Sequence, residues 1–220
     1  MGIKDIAVMA DINAENDRIA EGVRQTLAER RIYCINIIGS PGTGKTSCLI
    51  NIIQGIKDIG CYVIEGDIQS DIDTQKLAGL GIGALQINTG GACRLDATLI
   101  SNTLERLPPI KSGVLFIENI GNLICPAGSD IGENLKLLII NVTEGADKPY
   151  KYPAAFVNAG AILLNKIDLL PYVDFDMEYF MHGVRILNAE APVFQVSAMN
   201  GTGFSGVCEW LKTKISTTEA

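Results

Sequence analysis

Histidine and tryptophan occur once each in this chain, and aromatic residues make up 6% of it. The single histidine, His182, falls in an amphipathic helical stretch, where an imidazole serves packing or surface far more often than ligation. Positive charge is also scarce. Eighteen Lys and Arg stand against 25 Asp and Glu, a formal net charge of −7. No basic excess is available to neutralise a phosphate backbone, so nucleic acid is not an expected partner. No apolar run approaches the roughly 18 residues of a membrane-spanning helix, so no membrane association is expected. The opening MGIKDIAVMADINAENDR carries acids early and has no long apolar core, which predicts no secretory leader and a cytoplasmic location. The six cysteines (Cys34, Cys48, Cys61, Cys93, Cys125 and Cys208) include no CxxC pair, and a disulfide framework is not expected. Cys34 and Cys61 sit in apolar, strand-like runs and read as small hydrophobes. Cys93 and Cys125 lie in polar, glycine-containing stretches.

What is present suffices for one sizeable core. With 220 residues, 47% hydrophobic and 20% charged, the chain reads as one domain over 1–220: a leading helix in 1–30 and a nucleotide-binding core in 31–220. Within the leading segment Ile12, Ile19, Val23 and Leu27 recur at helical spacing. Apolar runs at 31–38, 61–67, 84–88, 114–119, 135–142, 161–168 and 191–198 read as strands. Helical patterns follow at Lys45, after residue 67 to about Leu80, over 95–107 and over 204–215. Strands alternating with helices predict an α/β fold, a mostly parallel sheet with helices on both faces. Ligands in such sheets bind at the carboxyl ends of the strands.

Gly39-Ser40-Pro41-Gly42-Thr43-Gly44-Lys45-Thr46 matches GxxxxGK(S/T) between a strand and a helix, the context that this phosphate loop requires. Its glycines let backbone N–H groups turn toward phosphates at a helix N-terminus, where Ser47 follows. Lys45 is expected to reach the β- and γ-phosphates, and the Thr46 hydroxyl to ligate Mg²⁺. The bland reading is a glycine-rich turn ending by accident in Lys-Thr, and the flanking strand and helix argue against it.

Asn165-Lys166-Ile167-Asp168 has the form NKxD. A fixed carboxylate at Asp168 would accept from guanine N1–H and the 2-amino group, whereas adenine offers an acceptor and no amine there. Lys166 would lie along the base, Asn165 would tie the base-binding loops together, and a backbone N–H of Ser197-Ala198 would meet the guanine oxygen. The bland reading is a solvated turn with Asp as a helix cap. Two strand-end acids, Asp67 and Glu118, are the candidates with Thr46 for holding Mg²⁺ and orienting water. Gly121 would let a backbone N–H approach the γ-phosphate. Asp71 and Asp73 read as switch residues or, preferably, helix caps. Neither Gln nor Arg stands out as a catalytic finger, so slow intrinsic GTP hydrolysis is expected.

With these residues in view the chain resembles the HypB family, the GTPases that help insert nickel into hydrogenases, a branch of P-loop proteins related to signal-recognition and MinD proteins. The likeness runs through AENDRIAE, GSPGTGKT, EGDIQSDID, INTGGACRLDA, LFIENIGNLICPA, VTEGADKPYKYP, LLNKIDLLP and SAMNGTG. It implies a P-loop fold, GTP and GDP as ligands, Mg²⁺, a GTP-dependent homodimer, a small HypA-like nickel and zinc accessory protein, and a hydrogenase large-subunit precursor as client. It also implies a metal site, for zinc or nickel, at Cys93 and Cys125. The family pairs the first cysteine with His, and here that position is Arg94, which carries a permanent charge and cannot ligate a cation. Two thiolates per subunit would then give a four-sulfur site across a dimer, suited to zinc; otherwise both are ordinary loop cysteines. The cysteine cluster and His-rich stretch of some members are not found here, so nickel storage is not expected. Lys148 and Lys151 either reach across the dimer or belong to a solvated loop. An alternative client class is that of the related urease and cobalamin pathways, served by a switch without its own metal site.

Overall fold

The computed structural model describes residues 3–67, 77, 83–107 and 112–216, with residues 3–13 and 67 described by their backbone. Asp71 and Asp73 lie outside the described residues, as does the helix expected up to Leu80 apart from Leu77 itself.

Among the described residues seven strands are formed: β1 (Ile32–Ile38), β2 (Cys61–Asp67), β3 (Gly83–Asn88), β4 (Gly113–Glu118), β5 (Leu135–Asn141), β6 (Ala161–Asn165) and β7 (Val193–Gln195). Their order across the sheet is β3-β2-β4-β1-β5-β6-β7. All of these neighbours pair in parallel. The helices are α1 (Ile3–Glu29), α2 (Lys45–Gly55), α3 (Ala97–Leu104), α4 (Lys148–Lys151), α5 (Pro153–Val157), α6 (Met177–Leu187) and α7 (Phe204–Ser216).

The interior strands β1, β4, β5 and β6 are mostly apolar because both of their faces are covered. Alternate residues therefore divide between two cores. Ile35, Ile37, Val63, Val114, Phe116, Leu137, Ile139 and Leu163 pack with Leu49 and Ile52 of α2 and with Val207 and Leu211 of α7. On the opposite face Cys34, Ile64, Leu115 and Ile117 meet Val23 and Leu27 of α1 and Ile100 and Leu104 of α3. Further along that face Leu138, Ile140, Ile162 and Leu164 meet Phe156 of α5 and Phe180 and Val184 of α6. Within the leading helix Val23 and Leu27 are buried and Ile19 is half-buried, while the side chain of Ile12 is outside the description.

Several boundaries differ from the periodicity reading, each for a local reason. The helix expected over 95–107 is 97–104, because Asp96 caps it by accepting from Leu99 N at 2.8 Å. β5 stops at Asn141, whose side chain accepts from Thr143 N and opens a 3-10 turn instead of letting Val142 extend the strand. The strand expected over 161–168 ends at Asn165, since Lys166 turns into the left-handed region at φ 61° and a 3-10 helix takes over at Ile167. The run expected over 191–198 narrows to three residues, because Ser197 N leaves the ladder for Thr202 O at 3.0 Å.

Phe116 is fully buried at the centre of the sheet. Phe116→Ala is expected to cost about 3–5 kcal/mol in chemical denaturation, whereas Ile124→Ala, at a residue 68% exposed, should stay within about 0.5 kcal/mol.

Candidate nucleotide and metal site

Chain direction decides where the chemistry gathers. β1 lies between β4, reached after the chain has built the β2 side, and β5, from which it builds the other side. The carboxyl end of β1 is therefore the switch point of the sheet, and the phosphate loop Gly39–Thr46 issues from it into α2.

The loop is held open by its neighbours. Gly44 adopts φ 90° as the N-cap of α2, and a Cβ there would stand 2.6 Å from Asn165 Nδ2. Only glycine meets both conditions. Lys45 is buried and its Nζ donates across the loop to the carbonyls of Gly39 and Ser40, each at 3.3 Å. The Thr46 hydroxyl donates to Glu118 Oε1 at 2.9 Å. The strand-end acid of β4 and the first turn of α2 thus meet under the loop. Asp67 ends β2, one strand beyond β4, with its backbone in register with Asn88.

Gly121 lies against the loop from the other side. A Cβ on it would be 3.1 to 3.2 Å from Pro41, and the following residue, Asn122, forms an antiparallel bridge with Gly39. The segment after β4 therefore rests directly on the phosphate loop.

The NKID element folds back onto the same loop. Asn165 Nδ2 donates to Thr43 O at 2.8 Å and Asn165 Oδ1 accepts from Ala198 N at 3.0 Å, so one buried amide ties three segments. The left-handed turn at Lys166 sends its ammonium to Gly42 O at 2.7 Å. It also places Asp168 Oδ1 against the Ser197 hydroxyl, which donates to it. Asn51 of α2 adds a bond to Ala198 O at 3.1 Å. Gly44, Ser47, Asn165, Lys166, Asp168, Leu169, Ala198 and Met199 line a cleft of about 490 Å³. Its partly apolar walls and its single aimed carboxylate suit a planar base.

The two loop cysteines come together although 31 residues separate the segments that carry them. Contact with the Cys125 thiol is the main cause that pushes the Cys93 thiol above its ordinary range, with burial second. Cys93 is exposed and Cys125 half-buried. Arg94 reaches the second of them, its Nη1 donating to Cys125 O at 3.4 Å. Among the described residues no group of three His, Cys, Asp or Glu is placed to hold a metal ion, so one subunit offers two thiols. The remaining cysteines behave differently. Burial pushes the thiols of Cys48 up to about 12 and Cys61 up to about 11, and raises that of Cys34 as well. Cys34 and Cys48 are inert parts of the core, and Cys61 packs against it.

His182 bonds through Nδ1 with Tyr150 Oη at 3.2 Å. Lys148 pairs with Glu144 at 3.5 Å and lies over the Tyr152 ring, and Lys151 pairs with Asp147, so both lysines are engaged within their own chain.

Four polar residues escaped the sequence reading. Asn119, next to Glu118, donates through Nδ2 to Asn36 Oδ1 at 3.2 Å, in the middle of β1. Asn36 donates onward to Glu133 Oε1 at 3.1 Å, and Glu133 pairs with Lys136. The available signal was Asn36 itself, a polar residue inside the otherwise apolar run IYCINII.

Comparison with known proteins agrees with this geometry. The model of the CobW/HypB/UreG nucleotide-binding domain matches residues 33–195. Hydrogenase maturation factor HypB of Escherichia coli is 43% identical over 210 residues, covering 95% of this chain and 72% of that protein. Hydrogenase/urease maturation factor HypB of Helicobacter hepaticus is 35% identical, covering 96% of this chain and 88% of that protein. Among solved structures, HypB from Helicobacter pylori in complex with nickel superposes with a TM-score of 0.88 at 33% identity, over 92% of this chain and 96% of that one. A central β1 that ends in the phosphate loop, the NKID turn locked onto it and these likenesses agree: the chain belongs to the HypB branch of the CobW/HypB/UreG family of P-loop nucleotide-binding proteins.

Proposed function

We propose that this chain is a slow, GTP-specific hydrolase whose nucleotide state controls metal handling at Cys93 and Cys125 during nickel insertion into a hydrogenase precursor. The observation that carries the guanine assignment is the Ser197 hydroxyl bond to Asp168. It fixes one carboxylate at the end of a cleft whose other end is the phosphate loop. A carboxylate that cannot swing away matches guanine N1–H and the 2-amino group and leaves adenine with an acceptor facing an acceptor.

On this reading the loop amides of Gly42–Thr46 and the Lys45 ammonium bind and neutralise the phosphates. The pairing of Thr46 with Glu118 fits Mg²⁺; Thr46, Glu118 and Asp67 would hold it, and when bound it would neutralise charge on the β- and γ-phosphates. Glu118 orients the attacking water, and the amide of Gly121, a residue packed closely enough on Pro41 to leave little room for a Cβ, senses the terminal phosphate. No arginine or glutamine finger stands out among the described residues, and slow turnover in one subunit is expected on that basis. The unit that does this is a single G domain behind its leading helix.

Two thiols per subunit become four across a GTP-dependent homodimer, enough for a tetrahedral or square-planar metal. Four thiolates around a divalent ion leave two negative charges, and the two Arg94 guanidiniums beside the thiols would balance them. This gives Arg94 a role that ligation does not. A HypA-like accessory protein and the precursor would be the partners on either side of the transfer. The second reading, a switch for a related urease or cobalamin pathway with no metal of its own, draws on the hydrogenase/urease name of the Helicobacter relative and on the two-thiol limit within one subunit.

Three outcomes test these assignments. Lys45→Ala should lower GTP turnover by at least about 100-fold, and equal hydrolysis of GTP and ATP by the unaltered protein would refute the specificity. Asp168→Asn should weaken GDP binding by about 10- to 100-fold in calorimetry and favour xanthosine diphosphate, whose 2-oxygen accepts from an amide. Titration of nickel or zinc with a non-hydrolysable GTP analogue should load about one metal per two chains. Unchanged uptake by Cys93→Ala would rule out the thiolate site.

A further inference from the structure

We infer that Asn119 is a positioning residue that couples the phosphate end of the cleft to the Cys93–Cys125 pair, so that the bound nucleotide sets how tightly the thiols hold a soft divalent metal. This rests on the reading of Cys93 and Cys125 as a nucleotide-gated metal site and adds the residue through which the gate works.

Asn119 follows Glu118 directly and is 1% exposed. Its backbone N–H donates to Ile37 O at 2.9 Å, which seats it on the strand that ends in the phosphate loop. Its Oδ1 accepts from Ile120 N and from Leu95 N, each at 3.0 Å. Leu95 lies two residues from Cys93. The same amide therefore holds the start of the segment that rests on Pro41 and the loop that carries the first thiol.

The second arm anchors the other thiol. Beyond Asn119 the chain passes Gly121 against Pro41 and Asn122 opposite Gly39, and Asn122 Oδ1 accepts from Ile124 N and Cys125 N at 2.8 and 3.3 Å. On the far side of Cys125 the chain is pinned to the sheet. Asn119 Nδ2 donates to Asn36, Asn36 donates to Glu133, and Glu133 Oε2 accepts from Ile131 N at 2.8 Å. Lys136 Nζ holds the carbonyls of Ala127 and Ser129 at 3.0 and 2.9 Å. A displacement of residues 119–122 by the terminal phosphate has to be absorbed between Asn122 and Ala127, and Cys125 sits in that interval.

Burial makes the link stiff. An amide N–H stripped of its acceptor in the interior loses about 1–3 kcal/mol, so Leu95 follows Asn119 rather than parting from it. The first thiol then shifts with the Asn119 side chain, and the second with Asn122, three residues along the same segment. A guanidinium at position 94, bonded to Cys125 O, travels with them.

The test compares nickel and zinc dissociation constants with GDP and with a non-hydrolysable GTP analogue, each at nucleotide saturation checked by fluorescence titration. The unaltered protein should show at least a roughly fivefold ratio between the two states. Asn119→Ala cuts both arms, and its ratio should fall to within about twofold of unity. Asn36→Val cuts only the arm to Glu133 and should give an intermediate ratio; it replaces Asn119→Ala if that variant shows no cooperative melt. A folded variant that keeps the full ratio overturns the role of Asn119 and leaves the metal site standing. If the unaltered protein binds no metal, or binds it equally in both states, the underlying gated-site reading falls and the coupling with it.

Discussion

The position of β1 governs the rest of the molecule. With β4 on one edge and β5 on the other, both of its ladders are complete, and the chain can leave it only at the top. All the paired strands run the same way, so each neighbouring strand also delivers its last residue to that top edge: Glu118 from β4, Asn141 from β5, Asn165 from β6 and Asp67 from β2. The functional groups are concentrated because parallel pairing points every carboxyl terminus one way. The helices beneath cover the apolar strand faces and leave the upper rim to polar loops.

Two kinds of polar contact convert this rim into a device with internal connections. Asn165 binds the phosphate loop to the NKID turn and the Ser197–Ala198 loop, and Asn119 binds the phosphate loop's strand to the segment that carries the first thiol. Both are amides, able to donate and accept at once, and both are almost completely buried. A carboxylate in either place would carry an unpaired charge into the interior, and an apolar residue would orphan backbone amides. The leading helix joins the same network: Asn16 accepts from Ala97 N at 3.2 Å and donates to Asp130 O at 2.8 Å. Arg24 pairs with Asp130 from the next turns of that helix.

Much of this was legible in the residues. The phosphate loop, NKID and the strand-end acids occupy fixed offsets from apolar runs, because backbone turns and a planar base demand specific residue types at specific spacings. The parallel sheet followed from the alternation of apolar runs with helical patterns. Other features escaped because they depend on contacts across long sequence distances. Asn36 and Glu133 are 97 residues apart, and nothing in IYCINII says which partner satisfies the amide. Lys166 was placed in a strand, since the left-handed turn that ends β6 leaves no mark in hydrophobic periodicity. The meeting of Cys93 with Cys125 was implied by the family resemblance and not by composition, because it depends on the course of two loops.

Arg94 alters how such a centre would respond to its surroundings. An imidazole ligand lets go of its ion as acidity rises through the neutral range, because proton and metal compete for one lone pair. A guanidinium keeps its charge across that whole range. The acid response of a metal held there would therefore rest on the thiols alone, with no imidazole adding its own protonation step in the neutral range.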